Sequence, residues 1–283
     1  MNEFTRLVFK AQEELDKERD TGNARHLRNM ISFYDQAFEQ DCKGDPNFWI
    51  ALVNRSYGYY YLGELEKALQ DMETVRELKP KEYSVFSNLA AIYDELGNFS
   101  KAHRDSIRAI ELEQDDPEVY CNYAAVLCSE GLFEASIGIC EETIAKDPYH
   151  FGGYANRGVA LFYLKRFDEA IQDAKKAIEL AQGRREGKRE AGLVVNLADA
   201  YQAAGRKFDA EINYRYVLKL VSRKEEQDLT VRDYFAAAAA ERGLHSMGIN
   251  PETDFERRGI ETGMLRKEIL DRKIPQHLKA KNT

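Results

Sequence analysis

Of all segments in the sequence, Gly183-Arg184-Arg185-Glu186-Gly187-Lys188 comes nearest to a phosphate-binding loop. Such a loop needs four residues between its glycines, a Ser or Thr after the lysine, and a strand before it. Here the spacing is one short, Arg189 follows the lysine, and a helical pattern precedes it, so no nucleotide site is expected. The five histidines, His26, His103, His150, His245 and His277, are far apart and make no HExxH or Cys/His metal spacing. Cys42, Cys121, Cys128 and Cys140 form no CxxC pair. Cys121 and Cys128 stand two helical turns apart, about 10 Å, too far for a disulfide. Adjacent carboxylates such as Glu141-Glu142 read as a solvated helix face rather than an acid/base pair. No cofactor, metal or catalytic group is expected, and the chain reads as a non-enzyme.

One series of polar residues does carry a chemical suggestion. Asn54, Asn88, Asn122 and Asn156 recur at intervals of 34 residues, and Asn196 continues the series after a short insertion. A carboxamide offers a donor and an acceptor, so it can pair with a peptide backbone whatever the peptide's sequence.

The bulk composition narrows the partners. A formal charge of −8 argues against nucleic acid, which needs a basic footprint. No run of about 18 apolar residues is present, so no membrane span is expected. Charges interrupt the N-terminal stretch too often for a signal peptide, and unpaired cysteines suit a reducing, cytoplasmic setting.

The elements that position the asparagines repeat with them. In blocks 49–82, 83–116, 117–150 and 151–184, glycine recurs at Gly63, Gly97 and Gly131. Small residues recur at Ala68, Ala102, Ser136 and Ala170, each preceded three places earlier by Leu65, Phe99, Phe133 or Phe167. A fifth block, 191–224, follows six extra residues and restores Asn196, Tyr201, Gly205, Ala210 and Leu220. Within a block, residues such as Phe86, Leu89, Ala90 and Tyr93 mark one apolar helical face. Gly97 then ends the helix through a positive φ, Ser100 or its equivalent caps the next helix, and Pro80 or Pro148 stops the second one. One helix pair cannot bury its own apolar face, whereas stacked pairs share a continuous core.

These residues and offsets resemble the tetratricopeptide repeat family, whose 34-residue pattern sets Trp, Leu-Gly, Tyr, Ala, Phe and Pro at fixed places. The resemblance covers 49–224. It departs from the pattern at Lys165, where other blocks have the turn glycine, at Gln114 and Gln182 in place of proline, and at Phe208, one place late. It implies an all-α, right-handed superhelical solenoid of stacked antiparallel helix pairs. Residues 1–48 then form an irregular first repeat that caps the stack, and 225–283 form capping helices and a tail. Helices are expected over 3–19, 24–41, 229–247 and roughly 253–273.

The resemblance further implies that each block's first helix lines an inner, concave wall, with the five asparagines in a row along it. Equivalent helices sit roughly 10 Å apart. The row then covers about 40 Å, enough for about a dozen residues of extended peptide at about 3.3 Å each. An asparagine at this place can instead pair with the backbone of a neighbouring helix. On the same wall stand Tyr57, Tyr60, Tyr61, Ser87, Asp94, Glu95, Cys121, Phe162 and Tyr163. Aromatics are common anchors, and the two acids suggest a Lys or Arg in the partner. Members that clamp a C-terminal carboxylate carry cations where this chain has Ile50, Val53, Ser84 and Ser87, so a free acidic C-terminus is not the expected ligand.

Arg55 and Arg157 stand where leucine is usual, each sixteen residues before an aspartate, Asp71 or Asp173, and an ion pair inside each repeat is expected. The functional expectation is a protein- or peptide-binding adaptor or scaffold. The alternative is a substrate-recruitment or regulatory subunit of a larger enzyme or complex. The basic residues of 264–283 could touch an anionic partner, though a solvated helix end is the plainer reading. The open ends of such a stack can also pair with a second copy.

Overall fold

The chain's turns recur with nearly the same hydrogen bonds. After each first helix, an N–H bonds back three residues and the next N–H bonds back five: Gly97 to Asp94 and Asn98 to Tyr93, at 2.9 and 2.8 Å. The pattern repeats at Gly63, Gly131 and Gly205, whose φ values of 80°, 92° and 77° lie in the left-handed region. A residue without Cβ adopts that region at no steric cost. Lys165 occupies the same place in its repeat with φ 64°, and it makes the same bonds, to Phe162, with Arg166 bonded to Leu161. The departure in sequence is therefore absorbed without a change of turn.

The computed structural model describes residues 2–21, 23–40, 42, 44–182, 190–222, 229 and 231–249. All thirteen elements among them are α-helices. The phosphate-loop-like segment 183–189, the expected helix at 253–273 and the basic tail lie outside the described residues.

The chain divides into two units, the first running to Gln114 and the second starting at Asp115. The first holds α1 (Glu3–Thr21), α2 (Ala24–Phe38), α3 (Phe48–Leu62), α4 (Leu65–Leu78), α5 (Tyr83–Glu95) and α6 (Phe99–Leu112). The second holds α7 (Pro117–Glu130), α8 (Phe133–Lys146), α9 (Phe151–Tyr163), α10 (Phe167–Gln182), α11 (Glu190–Ala203), α12 (Lys207–Ser222) and α13 (Val231–Ser246). Consecutive helices pack as antiparallel pairs, and α7, α9 and α11 touch in succession within the second unit. The fold class is the all-α helical repeat that the sequence implies.

Burial follows the repeated small residues. Ala68, Ala102, Ser136, Ala170 and Ala210 are all fully buried or within 1% of it. Two buried hydroxyls bond across a helix pair: Ser136 donates to the Ala124 carbonyl and Ser56 to that of Ala68, both at 2.9 Å. Each bond ties the two helices of one pair.

Some helix starts are capped by side chains, not always the expected one, whereas α3, α4, α5 and α8 have no side-chain cap. Asn98, not Ser100, caps α6: its Oδ1 accepts the Lys101 N–H at 3.3 Å, while Ser100 already lies inside the helix. Asp116 caps α7, with Pro117 in the first turn. His150 caps α9 through Nδ1, which accepts the Gly153 N–H. That fixes the other nitrogen as the proton carrier, and it donates to Glu118 at 2.9 Å.

Both expected ion pairs are present. Arg55 reaches both oxygens of Asp71 at 2.8 and 2.6 Å, and Arg157 both oxygens of Asp173 at 2.7 and 2.9 Å. Arg55 does more than the spacing suggests. It also meets Asp35 on α2 at 2.9 Å and stacks over the Phe38 ring, so it joins neighbouring helix pairs. Burial pushes the Asp71 carboxyl above its ordinary range despite the arginine.

Candidate functional site

The asparagines all lie on first helices, but they do not share one environment. In the first unit, Asn54 donates to the Tyr34 hydroxyl at 3.1 Å and to Gln12 at 3.3 Å, while Asn88 is exposed. In the second unit, Asn156 donates to the Cys121 carbonyl on α7 at 2.9 Å. Asn122 is half-buried, and Asn196 lines an open pocket. Asn54 and Asn156 therefore use their donors to hold neighbouring elements of the chain. Their side-chain oxygens take no hydrogen bond among the described residues.

The first unit gathers Tyr57, Tyr60 and Tyr61 into one cluster. The Tyr57 and Tyr61 rings lie 4.4 Å apart and Tyr60 meets Tyr61 edge-on. Tyr57 donates to Glu18 at 3.3 Å, and burial pushes its phenol up. Tyr60 donates to Glu95 at 3.4 Å, joining two of the expected wall residues. Asp94, beside Glu95, is half-buried. Gln12, Glu18 and Tyr34, which complete this surface, come from the irregular first repeat, where no repeating offset marks them.

In the second unit, α9, α10 and α11 line a pocket of about 80 Å³ that opens to solvent. Val159, Phe162, Tyr163 and Leu193 supply apolar walls, Ala155, Gly158, Ala170 and Ala174 the floor, and Asn196 and Asp199 the polar groups. The floor must be small because helices approach closely there. A Cβ on Gly158 would come within 3.3 Å of Asp173 Cβ. Phe162 and Tyr163 meet edge-on at 5.4 Å, and Tyr163 stacks on Phe133 at 4.7 Å, which holds the aromatic wall in place. Convergent apolar walls with a few polar groups are the usual form of a binding pocket.

Asp199 was not among the residues the sequence pointed to. Its Oδ1 lies 2.5 Å from the Tyr214 hydroxyl on α12. Burial raises its pKa to about 6, against the lowering effects of that bond and of Arg242 on α13. A signal existed: Tyr57, Ala91, Ala125 and Val159 hold the equivalent places, so an acid stands where the other repeats are uncharged.

The four cysteines are free thiols. Cys121 and Cys140 are buried, and burial pushes the Cys140 thiol up to about 12. Among the described residues no cluster of His, Cys, Asp and Glu could hold a metal ion, and no helix is long and apolar enough to cross a membrane.

Comparison with known proteins agrees with this geometry. Residues 153–183, which include most of α9 and α10, match the tetratricopeptide repeat family. A search of curated proteins finds no match. Among solved structures, a tetratricopeptide repeat protein from Parabacteroides merdae is similar at a TM-score of 0.56 and 17% identity, covering 96% of this chain and 99% of its own. PilW, a type IV pilus biogenesis factor, is similar at 0.59 and 14%, covering 79% and 96%. A tetratricopeptide repeat protein of Thermus thermophilus is similar at 0.58 and 17%, covering 68% and 98%. At these identities the likeness concerns the fold.

Proposed function

We propose that this chain, which carries the tetratricopeptide repeat and its fold, is a non-catalytic adaptor or scaffold that binds an extended segment of a partner protein on its first helices. The observation that carries the reading is the pocket between α9 and α11. There two residues singled out as aromatic anchors, Phe162 and Tyr163, share a concave surface with Asn196. Apolar walls supply affinity by excluding water, and a carboxamide at the mouth can pair with peptide backbone.

The reading assigns the asparagines two tasks. The donors of Asn54 and Asn156 hold the chain's own elements together, which fixes the direction of their oxygens as acceptors for peptide N–H groups. Asn88 and Asn196 pair with the partner directly. Tyr57, Tyr60, Tyr61, Asp94 and Glu95 form a second contact surface in the first unit, suited to aromatic contact and to a basic residue. The free thiols support a reducing, cytoplasmic setting.

Hydrogen exchange of the chain with a peptide selected from a display library tests this. The reading predicts slowed exchange in α9 and α11. Slowing confined to the second helices, α8, α10 and α12, would remove the inner-wall assignment.

A further inference from the structure

Tyr214 sits in a chain of hydrogen bonds that contains one proton too few. Its hydroxyl lies 2.5 Å from Asp199 Oδ1 and 2.7 Å from Gln202 Oε1. Gln202 in turn donates Nε2 to the Ser246 hydroxyl at 2.5 Å, and Ser246 donates to the Gly243 carbonyl at 2.7 Å. The Ser246 proton is committed to Gly243, so Gln202 must present its amino group to Ser246 and its oxygen to Tyr214. The single phenol proton then faces two acceptors. With Asp199 ionised, Tyr214 donates to Asp199. With Asp199 protonated, the carboxyl donates to Tyr214, which donates to Gln202, and the chain runs unbroken to α13.

The same set of bonds therefore accommodates Asp199 in either protonation state. Its second oxygen, Oδ2, takes no hydrogen bond and no ion pair reaches the group among the described residues. The charged and titratable groups that act on it are Tyr163 from α9, Tyr214 from α12 and Arg242 from α13, while α10 presents Ala170 and Ala174. Arg242 acts through space only. The carboxylate thus lies at a pocket whose other lining side chains, Asn196 apart, are apolar or aromatic.

We propose that this pocket is a subsite for a basic side chain, lysine or arginine, of the bound segment, with Asp199 as its counter-ion. The inference rests on the peptide-binding reading and names the chemistry recognised at that site. The aliphatic stem of Lys or Arg covers Val159 and Leu193, the cation passes the Phe162 and Tyr163 rings, and the head meets Oδ2. Burial that makes the carboxylate costly when empty makes a cation welcome, because pairing in a sheltered site is stronger than in water. Binding of the basic residue holds Asp199 ionised and weakens at low pH. With the carboxyl titrating at about 6, only about a tenth of it is ionised at pH 5, so affinity falls about tenfold there.

The test is selection from a display library of random peptides of about a dozen residues at about pH 7.5, on the full chain and on Asp199→Asn. The proposal predicts that the wild-type chain enriches a Lys or Arg at a fixed place and that D199N enriches peptides without it. A second variant, Tyr214→Phe, keeps the carboxylate and removes a bond that lowers its pKa. It retains the basic preference and shows the loss of affinity at a higher pH than the wild type. Basic residues enriched equally by wild type and D199N overturn the subsite and leave groove binding standing. Loss of the preference in Y214F that persists at about pH 9, where its carboxyl is ionised, also overturns it, since the carboxylate is then not the recognising group. Failure of the wild-type chain to enrich any peptide removes both readings.

Discussion

Arg55 holds both oxygens of Asp71, while one repeat later Asp105 stands at the aspartate's place and Leu89 at the arginine's. Asp105 is 2% exposed, its Oδ1 accepts from the neighbouring Arg104, and its Oδ2 has no partner. The same substitution should therefore have opposite effects in adjacent repeats. Asp71→Ala leaves a half-buried arginine without its main partner and should cost roughly 3 kcal/mol. Asp105→Ala removes an unsatisfied buried carboxylate and should gain about 1 kcal/mol, since the exposed Arg104 contact contributes little. Urea unfolding followed by helical circular dichroism gives both values. Equal losses would mean that the ion pair has no special role at Asp71.

Lys165 holds a left-handed φ of 64° where four other turns have glycine. An L-residue with a side chain carries a cost of about 1 kcal/mol in that region. Lys165→Gly should raise stability by about that amount, and Gly131→Lys should lower it by a similar amount. A loss of stability in K165G would mean that the lysine side chain makes a contact that outweighs the strain.

The pH dependence of folding should show two opposed contributions. The folded-state pKa of Asp199, about 6, lies above its ordinary 3.8. Its contribution to stability is complete below pH 3.8 and is lost as pH rises through 6. Asp199→Asn should therefore be more stable than wild type at pH 8, by up to about 3 kcal/mol, with the gap closing near pH 4. Glu14 behaves in the reverse sense. Burial alone would raise its pKa, but hydrogen bonds from Lys17, His26 and Asn29 outweigh this and carry it to about 2. Its contribution is present above pH 4.5 and lost as pH falls through 2. Glu14→Gln should flatten the acid side of the profile. Unfolding midpoints across pH 2 to 8 separate the two, and a D199N difference that does not vary with pH would contradict the assignment.

The fold was legible because its signals are local and repeated. The left-handed turn after α5 and the fully buried Ala102 recur with the period, so each repeat corroborates the next. The intra-repeat ion pairs were legible for the same reason: sixteen residues is the fixed distance across one helix pair. The site was legible only in part. Position in the repeat marked Phe162, Tyr163 and Asn196, but not which asparagine donors the chain itself would occupy. Asn156 is engaged by the Cys121 carbonyl, a contact between repeats that depends on packing rather than periodicity. Asp199 stands out in the sequence only as an acid where the other repeats are uncharged, which carries no sign of burial; Tyr214 on α12 supplies its partner. Gly243 on α13 packs so tightly on the Tyr214 ring that a Cβ has no room.

Glycine at 243 is accordingly predicted to be necessary for docking α13. Gly243→Ala should loosen that helix, increasing hydrogen exchange in α13 with α7 to α10 unchanged. A uniform increase throughout the second unit would instead point to general destabilisation.

The central claim, that the first helices bind a peptide, is tested most directly by isothermal titration of a library-selected peptide against wild type and the double variant Phe162→Ala/Asn196→Ala. Neither residue makes a hydrogen bond that ties helices together, and circular dichroism verifies the fold of the variant. The account predicts a loss of affinity of at least about tenfold. Unchanged affinity in a normally folded variant would contradict it.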